Sequence, residues 1–301
     1  MARWRRHGLL FGPDRARWWQ RTHAALPTAL ALPDGLHRVY FAARDAQQRS
    51  HVGWFDADLA AGRVVGACEE PVLAPGPLGH FDDAGVYAAS AVRDGDRVHL
   101  YTIGWNVGAP PPMFRAAIGR ATSTDGGRTF AKDGRAPLLD RSEHDPWMVS
   151  APYVLREGGR WRMWYLSGQG WDREGGVLRS RYDVKHAESV DGVSWVRDGR
   201  TCLGGERNVS RAWVLQGPGG YRAWFSADDG AGYRIAAATS VDGLDWLRDD
   251  PGDGLEPSGA GWDAAEMAYP CVVPLAAGGL ALLYNGGGFG RDGIGLATLA
   301  P

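Results

Sequence analysis

Alternating apolar and polar residues form short runs that recur along the whole chain, with no long helical period between them. Five apolar runs rich in small residues stand at LPTALAL (26), VYAASAV (86), VSAPYVL (149), VSRAWVL (209) and AYPCVVPL (268). Each is followed by an aromatic and β-branched run: RVYFAARD (38), RVHLYTIGW (97), RWRMWYLSG (160), YRAWFSADD (221) and LALLYNGGG (280). Gly-rich turn signals such as RDGD and REGG separate the members of each pair. The pattern predicts five β-hairpins.

A third strand follows each hairpin in a similar small-residue pattern. Its five copies are VGWFD (52), IGRATS (118), VKHAES (184), IAAATS (235) and IGLAT (294). Three copies run into an Asp-box: STDGGRTF reads Ser-x-Asp-x-Gly, and SVDGVSW and SVDGLDW are looser copies. Ser and Asp side chains can bond the backbone amides of a turn, and Gly permits its positive φ. We therefore interpret Asp125, Asp191 and Asp242 as structural residues of the turn before a fourth strand.

The fourth strands share an aromatic residue followed two positions later by a basic one. FAKDG, WVRDG and WLRDD show this spacing, and the missing fifth copy appears at the other end of the sequence as WRRHG, from Trp4. A closed ring of sheets abolishes open edges. The repeats therefore predict an all-β fold: a five-bladed β-propeller with four antiparallel strands per blade, whose N-terminal strand closes the last blade. The predicted blades of this single domain are 23–73, 83–139, 145–204, 208–256 and 262–301 plus 3–11.

Composition narrows the possible partners. The chain of 301 residues has 33 basic and 35 acidic residues, so no global field favours nucleic acid or an anionic membrane. Its three cysteines are far apart and predict neither a disulfide framework nor a zinc site. The basic N-terminus is followed by too short an apolar run for a signal peptide. We expect a cytoplasmic protein, a monomer or weak oligomer, with a small-molecule or oligosaccharide ligand and no metal or cofactor.

Chemistry is expected near the innermost strands, which line the channel of a propeller. Polar residues cluster just before or within those strands: His23, Asp82, Asp83, His144, Asp145, Glu206, Arg211, Asp263, Glu266 and Tyr269. His23 and Glu266 each stand four residues before a strand proline, and Asp83 holds a roughly equivalent position. This register predicts that the three converge at one end of the channel.

Several of these side chains have two open interpretations. Asp82, Asp145 and Asp263 fit either a channel site or an ordinary loop or turn-capping role. Arg44 fits either a ligand-binding basic patch with Arg211 or an ion pair with a channel carboxylate. Neighbouring carboxylates shift each other's pKa values, as glycoside cleavage by an acid and a base requires.

Motifs along essentially the whole sequence resemble those of a known family. They are HAALP, RVYFAARD, FDDAGV, YTIGWN, WRMWYLSG, HAESVDGVSW and GWDAAEMAYP…LLYNGGGFG. That family is the five-bladed propeller glycosidases related to glycoside hydrolase families 43, 32, 68 and 130, with a bacterial subgroup of glycosidase-like proteins. The resemblance implies a first-blade Asp base, a middle-blade Asp and a later Glu acid. Here His23 takes the first position, while Asp83 and Glu266 match the others, so the standard mechanism is altered.

The leading hypothesis is a carbohydrate-active enzyme that cleaves or transfers a glycosidic bond. Its predicted catalytic residues are Glu266, Asp83, His23 and Asp145, and its predicted binding residues are Arg44, Arg211, Asp82, His144, Tyr269, Trp105 and Asn285. The same groups suit phosphorolysis, elimination or cyclisation on a sugar-derived or natural-product ligand. The rival hypotheses are a non-catalytic sugar-binding propeller and, from the Asp-boxes and arginines, a sialidase-like enzyme.

Overall fold

The structure is a computed structural model that describes residues 4–108, 114–205, 207–249 and 254–301. Its strands, in chain order, are β1 (Arg5–Phe11), β2 (Thr22–Ala31), β3 (His37–Arg44), β4 (Ser50–Asp58), β5 (Arg63–Ala67), β6 (Gly85–Asp94), β7 (Arg97–Val107), β8 (Phe114–Ser123), β9 (Ala131–Lys132), β10 (Val149–Glu157), β11 (Arg160–Glu174), β12 (Val177–Ser189), β13 (Val196–Leu203), β14 (Asn208–Gly217), β15 (Gly220–Asp228), β16 (Tyr233–Ser240), β17 (Leu247–Arg248), β18 (Ala268–Pro274), β19 (Leu280–Asn285) and β20 (Ile294–Leu299). A 3-10 turn (Gly261–Asp263) and one short helical turn, α1 (Gly287–Gly290), are the helical elements of these ranges. The fold is therefore all-β, as the sequence predicted.

The described strands pair in consecutive antiparallel groups of four, namely β2–β5, β6–β9, β10–β13, β14–β17 and β18–β20 with β1. The first and second groups, and the third and fourth, are joined by single parallel bridges, Ser50 to Gly85 and Tyr182 to Asn208. The first strands of the groups contact one another in cyclic order, β2 to β6, β10, β14, β18 and back to β2. This cycle brings the loops before the first strands together.

The N-terminal strand completes the C-terminal sheet. β1 pairs antiparallel with β20, with Arg5 opposite Thr298 and Phe11 opposite Ile294. The pairing confirms that the first strand of the protein supplies the fourth strand missing after the last repeat. It also protects the edge of β20, which would otherwise present unpaired backbone groups.

The Asp-box turns are held by their own side chains. In the second copy the Ser189 hydroxyl accepts the Gly192 N–H at 2.9 Å. The Asp191 carboxylate accepts the N–H groups of Val193 and Ser194 at 2.8 and 2.7 Å. These two backbone bonds, together with a hydrogen bond from the Ser189 hydroxyl, hold the pKa of Asp191 well below its usual range. The charge of this carboxylate is thus stabilised by hydrogen bonds from within the turn.

A buried carboxylate ties the two edges together in each of three sheets. Asp145, in the loop before β10, pairs with Arg197 of β13 at 3.0 Å and accepts the Tyr165 hydroxyl of β11 at 3.1 Å. Asp263 repeats the arrangement with Arg6 of β1 at 3.6 Å and Tyr284 of β19 at 3.1 Å. Asp82 pairs with Lys132 of β9. The recurring basic residue of the fourth strand is the partner of these aspartates.

Close packing explains two glycine positions of the third strand within the repeats. A Cβ on Gly53 would lie 2.2 Å from the Trp19 ring, and one on Gly295 would lie 2.4 Å from the Trp262 ring. The aromatic ring of each preceding loop thus lies directly on the sheet backbone. Such dense packing leaves no room for even one added methyl group.

Asn285 joins the last sheet to the first. Its side chain is fully buried, and its carbonyl oxygen accepts the Leu26 N–H at 2.9 Å. Its amide nitrogen donates to the carbonyls of Ala24 and Gly293 at 2.8 and 2.7 Å. The bonds to Leu26 and Ala24 connect segments that are distant in sequence. The bond to Gly293 connects the two segments that flank the α1 turn.

The cysteines Cys68, Cys202 and Cys271 are unpaired thiols. No helix in the described part of the protein is long and apolar enough to cross a membrane.

We expect Asn285→Ala to lower the free energy of unfolding by about 3 kcal/mol, because it leaves buried backbone groups without partners. Urea denaturation of the variant and the wild type measures the loss. Gln216→Ala, at an exposed position, is the control and should change stability by less than about 0.5 kcal/mol. A loss in Asn285→Ala no larger than that of the control would contradict the proposed seam between the first and last sheets.

Candidate active site

The first strands share a backbone irregularity that shapes the centre of the molecule. Each is interrupted by a register shift against its second strand. Five non-glycine residues at these shifts have positive φ: His23, Leu26, Ala151, Arg211 and Tyr269. Left-handed backbone is uncommon outside glycine and concentrates at functional sites. Because the first strands contact one another cyclically, the irregularities surround a common centre.

His23 and Glu266 meet at the α1 turn. Glu266 Oε1 accepts the Gly288 N–H at 2.9 Å. The Gly288 backbone also lies near enough to the His23 imidazole to act on its pKa, which it raises. His23 Nδ1 lies 2.8 Å from the Thr22 hydroxyl. The first and last sheets thus bring an imidazole and a carboxylate to the same turn, although the two residues are far apart in sequence.

The imidazole of His23 lies among cations. Burial, together with the charges of Arg44 and Arg291, lowers its pKa from 6.5 to about 4. The Gly288 backbone bond and the nearby Asp292 act in the opposite direction but are weaker. His23 is therefore neutral at pH 7 and can accept a proton or a hydrogen bond from a ligand.

Arg44 is a half-buried cation at the end of β3. Its Nη2 lies 3.3 Å from the Tyr87 hydroxyl, and no carboxylate among the described residues forms an ion pair with it. The structure thus gives no support to a pairing between Arg44 and a channel carboxylate. The charge of Arg44 also acts on Tyr269, whose pKa is nevertheless raised well above its usual range by burial.

Three tyrosines around this centre were not predicted from the sequence, namely Tyr87, Tyr182 and Tyr233, whereas Tyr269 was. The hydroxyls of Tyr182 and Tyr233 are hydrogen-bonded to each other, and both groups feel the charge of Asp228. Electrostatic interactions with Tyr182, Tyr87 and Glu266 add to the rise in the pKa of Tyr269. These tyrosines come from different sheets, and only the cyclic arrangement of the strands brings them together. The sequence pattern at these positions did not mark them as residues of the candidate site.

Asp83 and Trp105 lie in the second sheet and its entry loop. Asp83 accepts the Gly79 N–H at 2.8 Å and the Asn106 side-chain amide at 2.6 Å. The Trp105 indole donates to Ser50 Oγ at 2.9 Å. Among the described residues, Asp83 and Glu266 share no hydrogen-bond partner. The two predicted catalytic carboxylates are therefore not linked directly.

Arg211 spans the centre instead of lining an open basic patch. Its guanidinium donates to the carbonyls of Ala89 and Pro27 and to the Thr28 hydroxyl, the last two at 2.8 Å. The residue is 1% exposed, and burial lowers its pKa to about 10. It joins β14 to the first strands of the first and second sheets. The structure thus does not place Arg211 beside Arg44 as a free ligand-binding cation.

Four further residues predicted for the site have structural partners elsewhere. The carboxylates of Asp82 and Asp145 form the sheet ties described above. His144 packs against Gly199 on the outer part of the third sheet, and its carbonyl accepts Lys185. Asn285 uses its whole amide in the seam between sheets. The structure does not place these four side chains in hydrogen-bond contact with Glu266, and Glu206 lies outside the described residues.

No group of three or more His, Cys, Asp or Glu side chains in the described ranges is arranged to hold a metal ion.

No family model matches the protein. Over 301 residues, 98% of this chain and 99% of the relative, it is 39% identical to "Uncharacterized protein Rv1502" of Mycobacterium tuberculosis (strain ATCC 25618 / H37Rv). "Uncharacterized protein MT1551" of Mycobacterium tuberculosis (strain CDC 1551 / Oshkosh) is likewise 39% identical with the same coverage. The protein belongs to the family of these mycobacterial proteins.

Solved structures show where this fold is found. A structure described as "Glycoside hydrolase" has a TM-score of 0.76 and 16% identity, covering 98% of this chain and 91% of its own. A thermostable family-43 glycoside hydrolase has a TM-score of 0.65 and 16% identity, covering 93% and 88%. The protein shares its overall fold with these glycoside hydrolase structures, as the sequence resemblance predicted.

We expect His23 to remain neutral at pH 7 and to titrate near the pKa of about 4 set by burial and the two arginines. The unfolded chain takes up a proton below pH 6.5, so His23 reduces stability as the pH falls from 6.5 to about 4. Arg44→Gln should raise the His23 pKa by removing a neighbouring cation. An NMR pH titration of the imidazole measures this change. Arg49→Gln, which removes the partner of Asp45, is the control; equal His23 pKa values in both variants would contradict the arrangement.

Proposed function

We propose that the five sheets are the blades of a closed five-bladed β-propeller, and that the protein is a carbohydrate-active enzyme cleaving or transferring a glycosidic bond at its centre. The cyclic contacts of the first strands support the ring. The structural likeness to glycoside hydrolases supports the substrate class. The observation that carries the proposal is the hydrogen bond from the Gly288 N–H to Glu266 at 2.9 Å, on the turn whose backbone also acts on the neighbouring His23 imidazole.

Glu266 is the proposed general acid or base. Its side chain is only partly buried, and one of its oxygens is fixed by the Gly288 N–H. The other oxygen has no hydrogen-bond partner among the described residues and is available to a leaving-group oxygen or a water. Proton transfer by a positioned carboxyl group is the step that glycoside cleavage requires.

His23 and Asp83 are proposed to assist Glu266. A neutral imidazole beside Arg44 and Arg291 can orient a substrate hydroxyl or relay a proton. Asp83, fixed by two hydrogen bonds in the loop before β6, remains the proposed partner carboxylate. Arg44 and Tyr269 are proposed to bind the sugar, with Arg44 suited to an anionic or hydroxyl-rich group.

Phosphorolysis is the second candidate reaction. Two arginines act on the His23 ring, and such a cluster suits a phosphate nucleophile, which would replace water and a protein base. One structural neighbour, with a TM-score of 0.70 and 15% identity over 94% of this chain and 86% of its own, is described as "The GH130 family of mannoside phosphorylases contains glycoside hydrolases that target beta-1,2 mannosidic linkages in Candida mannan".

A small soluble glycan or sugar conjugate is the proposed ligand, and the protein is proposed to act in the cytoplasm as a monomer or weak oligomer. The same groups could serve elimination or cyclisation of a sugar-derived or natural-product ligand. A non-catalytic sugar-binding propeller would instead bind the ligand without turnover.

We expect Glu266→Gln to lower kcat for glycoside cleavage by about 10²–10⁴-fold, because the amide cannot transfer the proton. The carbonyl oxygen of the substituted side chain can still accept the Gly288 N–H, so the fold and ligand binding should be retained. Turnover of aryl pyranosides and furanosides, with and without inorganic phosphate, measures the effect. A phosphate requirement selects phosphorolysis over hydrolysis.

Asp145→Asn is the matched control for this experiment, since it alters a buried carboxylate of a sheet tie. It should lower stability while leaving kcat of the folded protein within a few-fold of the wild type. If Glu266→Gln retains wild-type turnover, the proposed acid–base role of Glu266 is wrong. If the wild type binds sugars without any turnover, the binding-protein hypothesis is favoured.

A further inference from the structure

The α1 turn has an unusual backbone. Gly288 has φ 66° and ψ 32°, and the next residue, Phe289, has φ 59° and ψ 35°. Both lie in the left-handed region, where a residue with a Cβ is disfavoured by contact with the backbone. Glycine adopts such a conformation freely, but a bulky aromatic residue does not. The conformation of Phe289 must therefore be imposed by its surroundings.

The surroundings that impose it are the residues of the candidate site. Glu266 accepts the Gly288 N–H, and the Gly288 backbone acts on the nearby His23 imidazole. On one flank of the turn, a Cβ on Gly286 would lie 2.5 Å from the Trp262 ring. On the other flank, a Cβ on Gly290 would lie 2.7 Å from the Asn285 amide nitrogen. The turn is thus clamped between the first and last sheets.

Burial does not explain the choice of phenylalanine. The Phe289 side chain is 51% exposed, and it belongs to none of the apolar clusters of the described core. A strained conformation that gives no packing in return is a mark of a functional position. The strain holds an aromatic ring at the surface, one residue from the glycine whose N–H Glu266 accepts.

We propose that Phe289 is a stacking platform for a sugar ring of the substrate. The C–H groups on one face of a pyranose or furanose ring are apolar and pack on an aromatic face, while the hydroxyls at its edge remain free for Arg44 and Glu266. The clamped turn fixes the backbone from which the ring projects, which lowers the entropy lost on binding. This inference rests on the proposed carbohydrate function and adds the residue that would orient the sugar above the acid.

The test compares Phe289→Gly, Phe289→Ala and Phe289→Trp, with sugar affinity measured in the inactive Glu266→Gln background and kcat/KM measured without it. The platform predicts that Phe289→Gly and Phe289→Ala weaken sugar binding and lower kcat/KM about tenfold, whereas Phe289→Trp stays close to the wild type. Phe289→Gly should also keep or raise the Tm, because it removes the left-handed strain. Leu247→Ala, at an apolar position 75% exposed on β17, is the control and should change neither quantity.

A merely structural Phe289 would give the opposite result: Phe289→Gly would bind and turn over sugars like the wild type, or its losses would follow a fall in Tm. Either outcome overturns the platform alone, since a wild-type protein that acts on glycosides leaves the proposed function standing. If the wild type neither binds nor cleaves any sugar, the proposed function fails, and the platform fails with it.

Discussion

The buried ion pair between the loop before a first strand and the basic residue of the fourth strand is the constraint on which the architecture depends. A sheet of four strands is held along its length by backbone bonds, but nothing in those bonds fixes the entering loop against the outer edge. Asp145 with Arg197 and Asp263 with Arg6 supply that connection. Because an unpaired buried charge is costly, each partner requires the other. In the last sheet the pair also holds the N-terminal strand to the rest of the protein.

These ties decide which carboxylates are free for chemistry. Asp82, Asp145 and Asp263 are buried and satisfied by cations and hydroxyls within their own sheets. Glu266, three residues after Asp263, lies at the end of the same loop but is only partly buried and contacts a backbone amide. One loop thus carries a structural acid and a chemically available one. The difference lies in their partners, since Asp263 faces Arg6 and Tyr284 while Glu266 faces the α1 turn.

The sequence was sufficient for the strands, whereas the catalytic site stays a prediction. Small-residue and aromatic periodicity located the strands, and the WRRHG spacing located the partner of β20 correctly. The register before the strand prolines predicted His23 and Glu266 at the same end; Glu266 bonds the Gly288 N–H, and the Gly288 backbone acts on the pKa of His23. What could not be predicted was the partner of each polar side chain. Arginine is a residue type that often binds ligands, but Arg211 donates its hydrogen bonds to backbone carbonyls of two other sheets. A signal for the ties was present, because Phe81–Asp82, His144–Asp145 and Trp262–Asp263 recur as aromatic–acid pairs, and each faces a fourth-strand base.

The central claim is that a sugar binds at the turn shared by His23 and Glu266. Its most direct test is a crystal structure of the Glu266→Gln variant soaked with monosaccharides at high concentration. The account predicts a sugar ring within hydrogen-bonding distance of the substituted side chain and Arg44, beside the Gly286–Gly290 turn. A sugar bound only between the outer strands, with this centre empty, would contradict it.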